Sequence, residues 1–157
     1  MKKLFRILTG LTIFLTLSQI SFAALTGDMT INRKDITFST DFFTEGKTIR
    51  IYATASNNSS NDLLGIVRFF DNDKQIGGDQ VISIFAKKTD GVFIDWIAPF
   101  GNRNIEVKIF PWQPEIDDPS NNSISAQIFV LQDTDHDGNQ NTTDDDDDND
   151  NVKDTED

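Results

Sequence analysis

Ile105-Glu106-Val107-Lys108-Ile109-Phe110 alternates apolar and polar side chains over five residues before closing on an aromatic. This is the period of an extended strand, not of a helix. Successive side chains of a strand point to opposite faces, so Ile105, Val107 and Ile109 share one face and Glu106 and Lys108 the other. The same alternation recurs on both sides of this stretch. Upstream, Ile49, Ile51, Ala53 and Ala55 alternate with Thr48, Arg50, Tyr52 and Thr54, and Val67 and Phe69 flank Arg68. Val92, Ile94 and Trp96 alternate with Phe93, Asp95 and Ile97; downstream, Ile124, Ala126, Ile128 and Val130 alternate with Ser125, Gln127 and Phe129. Turn-forming clusters separate the runs: Glu45-Gly46, Asn57 to Asp62, Asp71-Asn72-Asp73, Gly77-Gly78-Asp79, Asp90-Gly91, Gly101-Asn102 and Pro119 to Asn122. With further strands near Asp28 to Phe38 and Gln80 to Ala86, about seven short strands fall within about 100 residues. The expected fold is all-β, an immunoglobulin-like antiparallel β-sandwich with one face of each strand in the inter-sheet core.

The residues around these strands resemble the CARDB family, a cell-adhesion-related domain found in bacteria. The likeness rests on Thr44-Glu45-Gly46-Lys47 before one strand, Asn57-Asn58 after it, and Val67-Arg68-Phe69-Phe70-Asp71. Val92 to Trp96, Gly101 in a turn, and Asn121-Asn122 leading into the last strand extend it, so that it covers about residues 27 to 131. These are turn and core positions. The resemblance therefore implies a fold, and adhesion only as the family name implies it.

The chain opens with a different kind of segment. Lys2, Lys3 and Arg6 precede an apolar stretch from about Ile7 to Ile20, and Ser21-Phe22-Ala23 places small residues at −3 and −1 of a cut after Ala23. Residues 1–23 read as a secretory signal peptide. An uncleaved anchor is the alternative, but the stretch is short of about 20 residues and is interrupted by Thr9, Gly10, Thr12, Thr16 and Ser18. After it comes the domain, 24–132, with no further apolar run long enough to span a bilayer. The expected location is secreted or extracytoplasmic. The chain has no cysteine, so this domain is held by its core, by metal, or by both.

The third segment, residues 133–157, carries −11 of the chain's net −12: eleven Asp and Glu156 against Lys153 alone. Such a surplus argues against nucleic acid or an anionic membrane surface as a partner. Starting at Asp133, oxygen side chains stand at positions 1, 3, 5, 9 and 12 (Asp133, Asp135, Asp137, Asn141, Asp144) with Gly138 at position 6. That is the spacing of a twelve-residue calcium loop, in which alternate carboxylates of a tight turn aim at one ion and a glycine permits the bend. Asn139 would offer its backbone carbonyl. A second register places Asp146, Asp148, Asp150, Asp154 and Asp157 at 1, 3, 5, 9 and 12, with Asn151 at the bend and Val152 offering its carbonyl. The expected cofactor is Ca2+, with affinity in the extracellular range of about 10⁻⁴–10⁻³ M. A strand precedes the first loop where an EF-hand has a helix. The back-to-back loops, Asp-x-Asp-x-Asp-Gly followed by Asp-Asp-Asp-Asn-Asp, instead resemble thrombospondin type 3 repeats. Asn139, where that family has an aliphatic residue, and Asn151, in place of the second glycine, depart from its pattern. The competing reading is a disordered acidic tail that only solubilises. Repeats of this type connect domains, so continuation beyond Asp157 in a longer product is an expectation.

Lone candidates complete the sequence reading. His136 sits at position 4 of the first loop, where side chains point outward. Trp96 is expected in the core. Trp112, between Pro111 and Pro114, is expected to plug a loop against the sandwich edge; the alternative is an exposed aromatic patch with Phe110 and Phe42-Phe43 for a glycan or protein partner. The sequons at Asn57 to Ser60, Asn121 to Ser123 and Asn141 to Thr143 read as turns. There is no cysteine, no G-x-S-x-G elbow, no phosphate-cradling glycine loop and no histidine within 24–132. The chain reads as a non-enzymatic adhesion or structural module, a sandwich on a calcium-stiffened stalk.

Overall fold

The computed structural model describes residues 26–156; the signal-peptide reading and Asp157 lie outside them. The described residues form eight strands: β1 (Met29–Thr30), β2 (Ile36–Phe38), β3 (Thr48–Asn57), β4 (Leu63–Asp71), β5 (Lys74–Ile84), β6 (Thr89–Ile97), β7 (Gly101–Pro111) and β8 (Ser123–Val130). In one sheet, β1 and β2 pair with β3, which also pairs with β6; the other runs β5-β4-β7-β8. All strand pairs are antiparallel. Met29, Ile49, Ile51, Val67, Phe69, Ile82, Ile84, Trp96, Ile105, Val107 and Ile109 bury their side chains between the sheets. Each set of alternating residues read from the sequence therefore faces the core, and Trp96 is part of it.

Two elements differ from the sequence expectation. The first strand is split, because the polar run Asn32-Arg33-Lys34-Asp35 forms a 3₁₀ turn between β1 and β2. Asp35 closes that turn by accepting from Asn32 N at 2.9 Å. Gly77-Gly78-Asp79 is not a turn but a bulge inside β5: Val67 pairs with Gln80 and Phe69 with Ile76, so three residues oppose Arg68 alone. Gly77 takes φ +59, where a Cβ would run into Ile94, and Arg68 grips Asp79 at 2.7 and 2.9 Å across the bulge. The reversal comes earlier, at Asn72-Asp73, both with positive φ, as the twist of a two-residue hairpin demands.

Buried polar groups pin the loops. Asp71 accepts from Trp96 Nε1 at 3.1 Å and from Arg103 Nε and Nη2 at 2.8 and 2.7 Å, tying the sheets together at one end. At the other end Asp117 accepts from Met29 N and Asn122 Nδ2, both at 2.6 Å. On the surface, hydrogen bonding from Arg50 and Arg68 holds the Asp95 and Asp79 carboxyls below their ordinary value. That stabilisation is present above the unfolded value of 3.8 and lost as pH falls through the lowered native values. Asp71→Ala, which strands Arg103 and the Trp96 N–H in a largely dry site, is expected to cost about 3 kcal/mol. Asp95→Ala breaks an exposed, solvent-screened pair and is expected to leave the unfolding midpoint close to that of the wild type. Urea denaturation of the two variants checks the difference.

Candidate metal centre

The chain leaves β8 at Val130 and is caught at once by the sandwich. Leu131 N donates to Phe43 O at 2.8 Å, Glu45 N donates to Leu131 O at 2.9 Å, and Thr44 and Leu131 form a parallel bridge. The Thr44–Lys47 turn thereby becomes the seat of the first acidic loop. Gln140 Nε2 donates to Thr44 Oγ1 at 3.1 Å, the His136 ring lies over Gly46, and the Lys47 ammonium lies against Gly138.

Within the loop, aspartate oxygens accept from backbone N–H groups a few residues on and so fold the chain around themselves. Gly138 N donates to Asp133 Oδ2 at 3.0 Å, Asp137 N to Asp135 Oδ1 at 3.0 Å, and Asn139 N to Asp137 Oδ1 at 2.6 Å. Asn141 closes the loop: its N donates to Gln132 O at 3.0 Å and its Oδ1 accepts from Thr134 N at 2.9 Å. Thirteen residues later the same bonds recur. Asn151 N donates to Asp146 Oδ2 at 3.0 Å, Asp150 N to Asp148 Oδ1 at 3.2 Å, and Val152 N to Asp150 Oδ1 at 2.7 Å. Asp154 N donates to Asp145 O at 3.0 Å and Asp154 Oδ1 accepts from Asp147 N at 2.9 Å. Positive φ also repeats, at His136 and Asn149 and again at Gly138 and Asn151. The second register therefore follows the path of the first, although asparagine stands at its bend.

Two carboxylate triplets result, Asp133-Asp135-Asp137 and Asp146-Asp148-Asp150, each with one oxygen per residue within 4.8 Å of the others. At that separation a pair of like charges costs about 1 kcal/mol in water and about 3 kcal/mol at an effective dielectric of 20. Asp133 is 2% exposed, and its Oδ1 is buried without a hydrogen-bond partner. A buried anionic oxygen with no donor is what a cation would satisfy. These Asp-rich clusters could hold a metal, and their all-oxygen donors suit a hard one. His136 is exposed, with Nδ1 3.0 Å from Thr134 O, as its loop position implies.

The remaining sequence candidates lie beside the triplets, not within them. Asn139 Nδ2 donates to Asp137 Oδ2 at 2.9 Å; Asn141 Nδ2 reaches Thr134 Oγ1 at 2.7 Å and Asp147 Oδ2 at 2.9 Å. Asp144 Oδ1 accepts from Asp146 N at 3.2 Å, and Val152 and Asp154 close the second loop. Asn149 Nδ2 donates to Asp135 Oδ2, joining the two loops. Asp147 takes part although it occupies no ligand position of the register. Partial burial, then the charges of Asp154 and Asp148, raise its carboxyl above the usual range, while the Asn141 hydrogen bond pulls the other way. Glu45, Gly46 and Lys47 were legible only as a turn, since nothing local in sequence connects them to a segment some 90 residues on.

No protein-family model and no curated protein sequence matches this chain. Likeness appears in three dimensions. The CARDB domain of a Pyrococcus furiosus protein, crystallised in complex with di-metal ions, superposes with a TM-score of 0.59 at 15% identity, over 70% of this chain and 98% of that domain. The fold is CARDB-like. A cycloisomaltooligosaccharide glucanotransferase from Paenibacillus sp. matches with a TM-score of 0.51 at 17% identity, over 66% of this chain but 14% of that enzyme. Identities this low establish shared architecture alone.

The seat of the first loop is testable apart from any ion. Gly138 has φ +101, and a Cβ there would collide with the Lys47 ammonium. Gly138→Ala is expected to raise the amide exchange rates of residue 138 and Asn141 by about tenfold, the equivalent of about 1–2 kcal/mol of backbone strain. Exchange in β4 and β7, followed by NMR, should not change.

Proposed function

We propose that this chain is a secreted, non-enzymatic calcium-binding module, in which residues 24–132 form an adhesive or structural sandwich and residues 133–157 a segment of thrombospondin type 3 character. The observation that carries the reading is Asp133: a carboxylate almost wholly removed from water, with one oxygen unpartnered, facing two further aspartates at calcium-loop spacing. Calcium suits this donor set better than the alternatives. It takes six to eight oxygens in flexible geometry, whereas zinc prefers nitrogen and sulfur, and magnesium keeps most of its water. Asp133, Asp135 and Asp137 would hold one ion, aided by the Asn139 carbonyl, and Asp146, Asp148 and Asp150 a second, aided by the Val152 carbonyl.

When bound, calcium supplies positive charge that offsets the repulsion within each triplet. The protein's part is to hold the carboxylates ready through Asx turns and to brace the first loop against Thr44 to Lys47. Calcium would thus stiffen the segment in a fixed direction from the sandwich, which would offer its faces to a partner outside the cell. Secretion is supported by the layout of residues 1–23. The reading of a non-catalytic role rests on residues 24–132 containing no cysteine, no histidine and no G-x-S-x-G elbow.

Calorimetric titration of calcium into residues 24–157 is expected to show binding at about 0.1–1 mM. A far-UV CD change should accompany it, and a chain ending at Gln132 should show neither. Asp137→Ala should weaken the first site by at least about tenfold while leaving the sandwich melting temperature in EDTA unchanged. No heat and no spectral change at millimolar calcium would overturn the reading.

A further inference from the structure

We propose that the face around Trp112 is a binding site for a neutral, pyranose-based polysaccharide. The outer face of the β5-β4-β7 sheet is unusually apolar at one end. Ile66 pairs with Val81 on one side and Phe110 on the other, and Leu64 stands between Ser83 and Trp112. Trp112 N donates to Leu64 O at 2.9 Å, extending the β4–β7 ladder by one residue. The backbone of Trp112 is therefore docked on the sandwich, as a plug would be, but its side chain is 60% exposed. Phe110 continues the patch. Phe42 and Phe43 do not: they lie beside Leu131, past the opposite end of β7, where Gly101 pairs with Val130.

Trp112 lines a hollow of about 350 Å³ together with Asp62, Leu64, Pro111, Gln113 and Ile116. A second hollow of about 380 Å³ lies across the Pro111–Asp117 segment, with Phe110, Pro114, Pro119 and Ser123 on its walls. Trp112 lines the first of these depressions and not the second, and both are at the small end of the range for ligand sites. The polar groups of the first hollow are of two kinds. Asp117 is consumed, both of its oxygens accepting from Met29 N and Asn122 Nδ2. Asp62 commits Oδ1 to Ala86 N at 2.9 Å and keeps Oδ2, and the Gln113 side chain is exposed.

A flat apolar ring beside an exposed carboxylate and an exposed amide matches a pyranose, which has an apolar C–H face and a rim of hydroxyls. Charge and topology narrow the choice of ligand. Asp62, an exposed carboxylate in the hollow, disfavours anionic glycans. Addition of a peptide as a further strand is closed to β4 and β7, which are paired on both sides.

Affinity electrophoresis of residues 24–157 through native gels containing laminarin, hydroxyethylcellulose or dextran tests the site, with alginate as the anionic control. Retardation is expected in at least one neutral gel, and equally in EDTA, so that it stands apart from the calcium reading. Trp112→Ala should weaken retention about tenfold or more, Trp112→Phe less, and Gln113→Ala several-fold. Tyr52→Ala, on the other sheet, should have no effect. Near-UV CD establishes that each variant is folded. No retardation of the folded chain in any neutral gel, retention that survives Trp112→Ala unchanged, or retention in alginate alone would overturn the proposal. Dimers dispersed by Trp112→Ala, seen by sedimentation velocity, would overturn it in favour of self-association.

Discussion

Asp133 is the point on which the second half of this molecule turns. It follows β8 by three residues, is almost fully buried, and accepts one backbone N–H while its other oxygen has no donor. Desolvating a carboxylate is costly, and two more carboxylates stand close by. Positive charge brought close to it would offset that cost. Lys47, reaching across from the sandwich to Gly138, brings one such charge to the loop, and the triplet could hold a metal ion as another. The loop's shape, its seat on the Thr44–Lys47 turn and its repetition thirteen residues later all serve to keep those oxygens converged.

The sandwich solves a related problem in a different way. With no disulfide, it fastens its loops with buried polar side chains. Asp71 gathers Trp96 and Arg103, and Asp117 pins the first strand to the approach to β8. Asn57 donates to Asn61 O and Ile84 O while accepting from Ser59 N. At Asp71 and Asn57 the donors and acceptors are matched, so burial costs little and a single arrangement is selected; at Asp117 both carboxylate oxygens are used, while Asn122 Oδ1 is left without a partner. The acidic segment is built from the same residue types but leaves its acceptors in excess.

Much of this was legible in advance because period-two patterning needs no knowledge of partners. Ile49 to Ala55, Ile105 to Ile109 and Ile124 to Val130 face the core as their alternation dictates, and the acidic registers follow from spacing alone. The misreadings share a cause. Gly77-Gly78-Asp79 has turn composition, but whether a glycine pair reverses a chain or bulges it depends on the strand opposite; here Arg68 reaches across to Asp79. Asn32 to Asp35 broke a strand that the flanking apolar residues suggested was continuous. Asn151, an imperfect substitute for glycine, adopts positive φ because the surrounding aspartates supply the hydrogen bonds that hold it there.

By itself, then, the sequence determined the fold class and strand faces, the charge segregation, and the two sets of oxygen donors, since each depends on residue type and local period. Only the tertiary structure decided that the first loop rests on Thr44 to Lys47, that Asp133 is buried with an oxygen to spare, and that Trp112 stands exposed beside a hollow while Phe42-Phe43 lie at the far end. These depend on contacts between segments far apart in the chain, made by backbone hydrogen bonds that any residue can form and by side chains whose partners only the fold brings near. For that reason composition and spacing carry no trace of them.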